Sequence, residues 1–141
     1  SEPMLGIARK RIEKNKLTGN TKLIQGNALN LPFPDCSFEK VFSCFTLELF
    51  AEKDLARALS EMYRVLKPGG LVGIASLNAE TPQGRAERLY WWFHKKLPSL
   101  VDCRPIPVKA LVETSPLQLQ SLEERKLYGI PVALAVGKRS G

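Results

Sequence analysis

Apolar positions along this chain follow two periodicities. Met4, Leu5, Ala8 and Ile12 recur at helical spacing until Gly19-Asn20, behind a capping hydroxyl at Ser1, an acid at Glu2 and a proline at Pro3. An amphipathic helix is predicted there. Leu55, Leu59, Met62 and Leu66 form a second helical stripe, with Glu52, Lys53, Asp54, Arg57, Glu61 and Arg64 mostly opposite, which predicts a helix over 52–66. Aromatic-rich 85–96 and the shorter 107–114 are also read as helices.

Shorter apolar runs predict strands. Residues 22–25 form a brief one, stopped by Gly26 and followed by a loop with Pro32, Pro34 and Asp35. Residues 38–45 are apolar without strict alternation, the pattern of a strand covered on both faces. Lys67-Pro68-Gly69-Gly70 breaks the second helix, because proline presets a turn dihedral and glycine accepts positive φ, and 71–77 is then another buried strand. Residues 117–124 and 130–137, joined at Tyr128-Gly129, predict a terminal antiparallel pair. Strands alternating with helices and ending in a hairpin indicate an α/β sheet wrapped by helices.

The 141 residues, 44% hydrophobic and 25% charged, suit one domain spanning 1–141 that can bury a core. The longest apolar runs, 47–51 and 130–136, are far shorter than the roughly 18 residues that cross a bilayer, and no signal-peptide pattern is present, so the expectation is a cytoplasmic protein. Cys36, Cys44 and Cys103 are scattered and form no Cys-x-x-Cys pair, which suggests reduced thiols with neither a zinc site nor a disulfide framework. A net charge of +7 is compatible with an anionic partner, and the stronger reading is an ordinary basic surface.

Gly26-Asn27-Ala28, Leu31-Pro32-Phe33-Pro34-Asp35, Ser37-Phe38 and Met62-Tyr63-Arg64-Val65-Leu66-Lys67-Pro68-Gly69-Gly70 follow one another at tight intervals. In this order they resemble the class I S-adenosylmethionine-dependent methyltransferases, and most closely the branch of the ubiquinone and menaquinone biosynthesis methyltransferases (methyltransferase type 11). The resemblance implies an α/β, Rossmann-like methyltransferase sheet with helices on both faces and a C-terminal antiparallel hairpin. S-adenosylmethionine is the implied cofactor.

By the same resemblance, Asn27 and Ala28 follow the family's third strand and contact adenine, where an amide offers both a donor and an acceptor. The alternative is that Asn27 only stabilises the turn after Gly26. Cys44 matches the end of the fourth strand, where the backbone approaches the donor's methionine part, in keeping with ligand binding beyond the carboxyl ends of strands. Core packing is the alternative for Cys44. Pro32, Pro34, Pro68, Gly69 and Gly70 are read as architecture.

One departure is large. The family's glycine-rich loop after its first strand, and the acid that holds both ribose hydroxyls, have no counterpart in these 141 residues. The chain thus looks like the C-terminal portion of a methyltransferase domain whose N-terminal strands are missing. Strands 22–25 and 40–45 would then lack neighbours, and exposed edges invite pairing with other chains. The isolated chain is expected to be poorly stable, to bind S-adenosylmethionine weakly or not at all, and to be inactive.

Methyl transfer from a sulfonium is an in-line displacement that depends chiefly on alignment. No catalytic residue is assigned. Glu48 and His94 are the candidates for a general base, against readings as a solvated helix-start acid and a packed histidine. Between Arg85 and Lys96, aromatic Tyr90, Trp91, Trp92 and Phe93 stand beside Arg88 and Lys95, a composition that suits peripheral contact with the inner membrane face and a lipid- or quinone-like acceptor. The same residues can simply pack a helix onto the sheet. Nucleic acid is a minor reading, since no recognised RNA module accompanies the aromatics. The competing functional class is a non-catalytic interaction protein on a truncated methyltransferase fold.

Overall fold

The computed structural model describes residues 2–78, 105–127 and 130–141. The sequence readings at 85–96, His94, Cys103, the Ser1 cap and the Tyr128-Gly129 turn lie outside them. The chain divides into two compact units, residues 1–32 and 33–141.

The first unit contains helix α1, Glu2–Lys14, with Glu2 in its first turn and Arg11 and Lys14 in its last, all favourable to the helix dipole. Leu5, Ala8 and Ile12 of the predicted stripe are half-buried, while Met4 is exposed. The helix ends earlier than Gly19-Asn20. Lys16 takes positive φ (56°), the Leu17 amide donates to Ile12 O, and the Lys16 amide donates to Glu13 O, a Schellman closure made without glycine. The strand expected over 22–25 does not form. Those residues are unassigned backbone, and the one sheet among the described residues contains strands from the second unit. A short apolar segment becomes a strand only when a neighbour takes up its amides and carbonyls.

The second unit is built on four strands: β1 (Phe38–Cys44), β2 (Leu66–Leu77), β3 (Gln118–Leu127) and β4 (Ile130–Lys138), in the order β1-β2-β4-β3. β1 and β2 run parallel; β2–β4 and β3–β4 are antiparallel, so the predicted terminal hairpin is present. The parallel crossover is helix α2, Glu52–Val65, whose Leu55, Ala58, Leu59, Met62 and Val65 are buried. Helix α3, Val108–Glu113, contributes buried Val108 and Val112.

Register puts Val72, Ile74 and Ser76 of β2 on one face with Ala133, Ala135 and Gly137 of β4, and that face is the core. A Cβ on Gly137 would stand 3.2 Å from Leu117 Cβ, closer than ordinary contact, and 3.6 Å from Val112 of α3, an ordinary packing distance. The opposite face carries Phe42, Cys44 and Leu134, all exposed. β1 is therefore not the doubly covered strand its apolar sequence predicts. It is an edge strand in which Ser43 alone is buried and Phe42 is 69% exposed. β2 is covered as expected.

Lys67-Pro68-Gly69-Gly70 is a bulge within β2: the pairing jumps from Phe38↔Leu66 to Lys40↔Leu71. Gly69 has φ of 75°, and a Cβ on Gly70 would lie 2.8 Å from Lys67 O and 2.9 Å from Glu39 O. One glycine supplies a left-handed residue and the other a close backbone approach. Arg64 fastens the preceding loop, donating to Asp35 and Phe33 O while also pairing with Glu61. These carboxylates, Glu61 foremost, raise its pKa further above the ordinary arginine range.

Candidate functional site

Asn27 and Ala28 begin a tight turn in the first unit. The Asn27 carbonyl accepts from the Asn30 amide at 3.0 Å, and Asn27 Oδ1 accepts from the Leu29 amide at 3.0 Å. This is an Asx turn, so the turn-stabilising alternative describes a contact that is present. Asn27 is nevertheless exposed, and the bond uses its acceptor oxygen while its Nδ2 donors belong to the other end of the amide. Ala28 beside it is half-buried. Gly26 leads into the turn, where a Cβ would lie 3.1 Å from Pro32 Cδ.

Cys44, in the second unit, is the last residue of β1 and is exposed, which removes the core-packing alternative. Immediately after it the backbone turns sharply. Phe45 has φ of 46°, a left-handed conformation that bulky residues rarely take, and its amide donates to Ala75 O at 2.8 Å. The Thr46 hydroxyl donates back to Cys44 O at 2.9 Å.

Glu48 is not the solvated acid that its position after a strand predicts. It is 1% exposed, in a 3₁₀ turn over Leu47–Leu49. Its Oε2 accepts from the Ser76 hydroxyl at 3.0 Å, and its Oε1 lies 3.4 Å from the Leu77 amide nitrogen. Sequence reasoning missed Ser43, Ser76 and Asn78, which join Glu48 as buried polar residues near the carboxyl ends of β1 and β2. Among the described residues Ser43 Oγ has no hydrogen-bond partner, whereas Asn78 Nδ2 donates to Glu124 at 3.0 Å. For Glu48 the available signal was a lone acid inside apolar Phe45-Thr46-Leu47-Glu48-Leu49-Phe50; Ser43, Ser76 and Asn78 carried none. Elsewhere, an open groove of about 290 Å³ lies between α2 and α3, walled by Leu55, Ala56, Ile106, Ala110 and Leu111.

Residues 1–70 match the family model described as "Methyltransferase domain". Those residues thus carry the pattern of the methyltransferase-domain family. Among curated methyltransferases, a demethylmenaquinone methyltransferase of Geobacillus sp. (strain WCH70) is 38% identical over 98 residues, 70% of this chain and 41% of that relative. A ubiquinone/menaquinone biosynthesis C-methyltransferase of Marinomonas sp. (strain MWYL1) is 41% identical over 70 residues, 50% of this chain and 27% of its own length. The chain thus spans less than half the length of these relatives. A solved SAM-dependent methyltransferase of Thermotoga maritima superimposes with a TM-score of 0.74 at 23% identity, covering 99% of this chain and 70% of that one. The methyltransferase fold therefore extends beyond the 70 matched residues to the terminal hairpin, in agreement with the α/β class expected from sequence.

Proposed function

We propose that this chain supplies the carboxyl-terminal side of an S-adenosylmethionine-dependent methyltransferase domain, of which 1–141 form one part. The observation that carries this reading is the 38% identity over 98 residues to a demethylmenaquinone methyltransferase. Asn27 and Ala28 receive the adenine: the amide supplies Nδ2 donors toward a ring nitrogen while its oxygen holds the Asx turn, and the small Ala28 leaves room for the ring. Cys44 and the backbone after it face the methionine part at the carboxyl end of a parallel strand. When bound, S-adenosylmethionine supplies an activated methyl group. The protein's task is to hold donor and acceptor in line.

The acceptor is a small lipid- or quinone-like molecule, by analogy with what the relatives' names state. The setting is cytoplasmic, with peripheral contact at the inner membrane face through the segment from Arg85 to Lys96. Among the described residues no helix is long and apolar enough to cross a membrane. Glu48 is too deeply buried to serve as a base without a rearrangement. Transfer of a labelled methyl group by a chimera that places the leading portion of the Geobacillus relative ahead of this chain, to a demethylated quinone compared with a catechol and with a histidine-containing peptide, tests the acceptor class. Preference for the quinone supports the reading; transfer to the peptide alone overturns it.

A second reading, a non-catalytic interaction protein, draws on the edge position of β1 and its 69% exposed Phe42. Its discriminating result is stable partner binding that S-adenosylmethionine neither strengthens nor weakens.

A further inference from the structure

The carboxyl end of β1 is strained, and something must hold it. Phe45 keeps positive φ directly after Cys44, and a bulky residue stays in that conformation only when its surroundings fix it. On one side the hold is the Phe45 amide on Ala75 O at 2.8 Å. On the other the chain enters the Leu47–Leu49 turn, whose Glu48 carboxylate reaches β2 at the Ser76 hydroxyl and the Leu77 amide. Ser76 is 0% exposed and Glu48 1%, so this bond is sealed from water and has no solvent substitute.

We infer that Glu48 is a positioning residue for the donor end of the site: it latches the turn after β1 to β2 and thereby fixes the left-handed Phe45 and the direction of Cys44. The inference rests on the reading of Cys44 as part of a donor pocket, and it adds a role for a carboxylate that touches no ligand. Both partners are uncharged donors, a hydroxyl and an amide. The latch therefore needs an acceptor of this length and not a negative charge. Glutamine retains an acceptor oxygen, and because the Ser76 hydroxyl can turn to Leu77 O, 3.4 Å away, it can receive the new amide donor.

The test is the rate at which a thiol reagent labels Cys44 in the full chain, with Cys36→Ser and Cys103→Ser to leave one thiol. Glu48→Ala is expected to change that rate by roughly tenfold or more under native conditions, because thiol reactivity follows local environment and access. Glu48→Gln is expected to restore it, and Ser76→Ala, a smaller change at the far end of the latch, to shift it in the same direction. Val112→Ala, a core truncation in α3, serves as the control for general loosening. If Glu48→Ala does not fold, Ser76→Ala decides. A Cys44 rate unchanged in the folded variants, or changed as much by Val112→Ala at equal loss of Tm, overturns the inference. Slowing of Cys44 labelling by S-adenosylmethionine in a chimera that carries the leading portion of the Geobacillus demethylmenaquinone methyltransferase ahead of this chain, with Cys44 as its one thiol, separately tests the donor reading. Without such slowing that reading fails, while the response to Glu48 still decides whether the latch exists.

Discussion

The Arg139 guanidinium stacks over the Tyr63 ring, 4.5 Å from its centroid, and donates to the Tyr63, Arg64 and Leu66 carbonyls at 2.9, 3.2 and 2.6 Å. A residue after the last strand thus satisfies carbonyls at the end of α2, where a helix leaves its final acceptors without intrahelical partners. It also ties β4 to the helix whose buried stripe makes the core.

Arg139→Ala is accordingly expected to cost about 1–3 kcal/mol, the range for charged hydrogen bonds together with the ring contact. Arg139→Lys should recover less than half of that, because an ammonium lacks the planar fork. Urea unfolding of the three proteins measures both. Equal stability of Arg139→Ala and the parent would show the contact to be incidental.

Two glycines of β2 predict opposite tolerance. At Gly70 an added Cβ meets backbone oxygens on two sides, so Gly70→Ala should cost about 2 kcal/mol or more, as expected for overpacking against atoms that cannot move aside. At Gly73 the same atom meets the Phe42 ring at 2.7 Å, but that ring is 69% exposed and free to swing outward. Gly73→Ala should therefore cost under about 1 kcal/mol, in the range of ordinary surface changes. Adding Phe42→Ala should relieve it. Thermal unfolding of the single and double variants checks the contrast.

Glu39 titrates below the ordinary carboxylate value of 4.5, first through its hydrogen bond to Lys67 at 2.7 Å and then through the Lys67 charge, with Lys40 adding a smaller share. A lowered folded-state pKa gives stability that is present above the unfolded value and lost as pH falls through the folded one. The advantage of the parent over Glu39→Gln should therefore persist above about pH 4.5 and fade as pH drops from there through the lowered folded-state value. Both residues are largely exposed, so the difference should be small and should shrink further in salt. A pH series of unfolding midpoints for the two proteins tests the sign. A gap that widens toward acid would contradict it.

Much of this fold is legible in sequence where a local pattern and its burial agree. The α2 stripe at Leu55, Leu59 and Met62 is buried as its spacing requires, and the terminal strands pair as their turn signal predicts. Residues 22–25 show the limit, because an apolar segment does not reveal whether a neighbouring strand will receive it. β1 shows the same limit from the other side: its composition suits a covered strand, while its edge position leaves Phe42 exposed. At the candidate site, Asn27, Ala28 and Cys44 come from a family pattern, whereas the Glu48–Ser76 contact joins residues 28 apart in sequence through a parallel crossover. No local spacing encodes that contact.

The central claim is that Asn27 and Ala28 receive S-adenosylmethionine. Its most direct test is calorimetric titration of that molecule into a chimera carrying the leading portion of the Geobacillus demethylmenaquinone methyltransferase ahead of this chain, with folding confirmed by circular dichroism. The account predicts saturable binding, weakened by about tenfold in Asn27→Ala, the equivalent of one hydrogen bond of roughly 1.4 kcal/mol, and weakened likewise in Asn27→Asp, which keeps the turn-holding oxygen and lacks the Nδ2 donor. The unextended chain should bind far more weakly. A folded chimera that takes up no S-adenosylmethionine, or that binds it equally well with Asn27→Ala, would contradict the assignment.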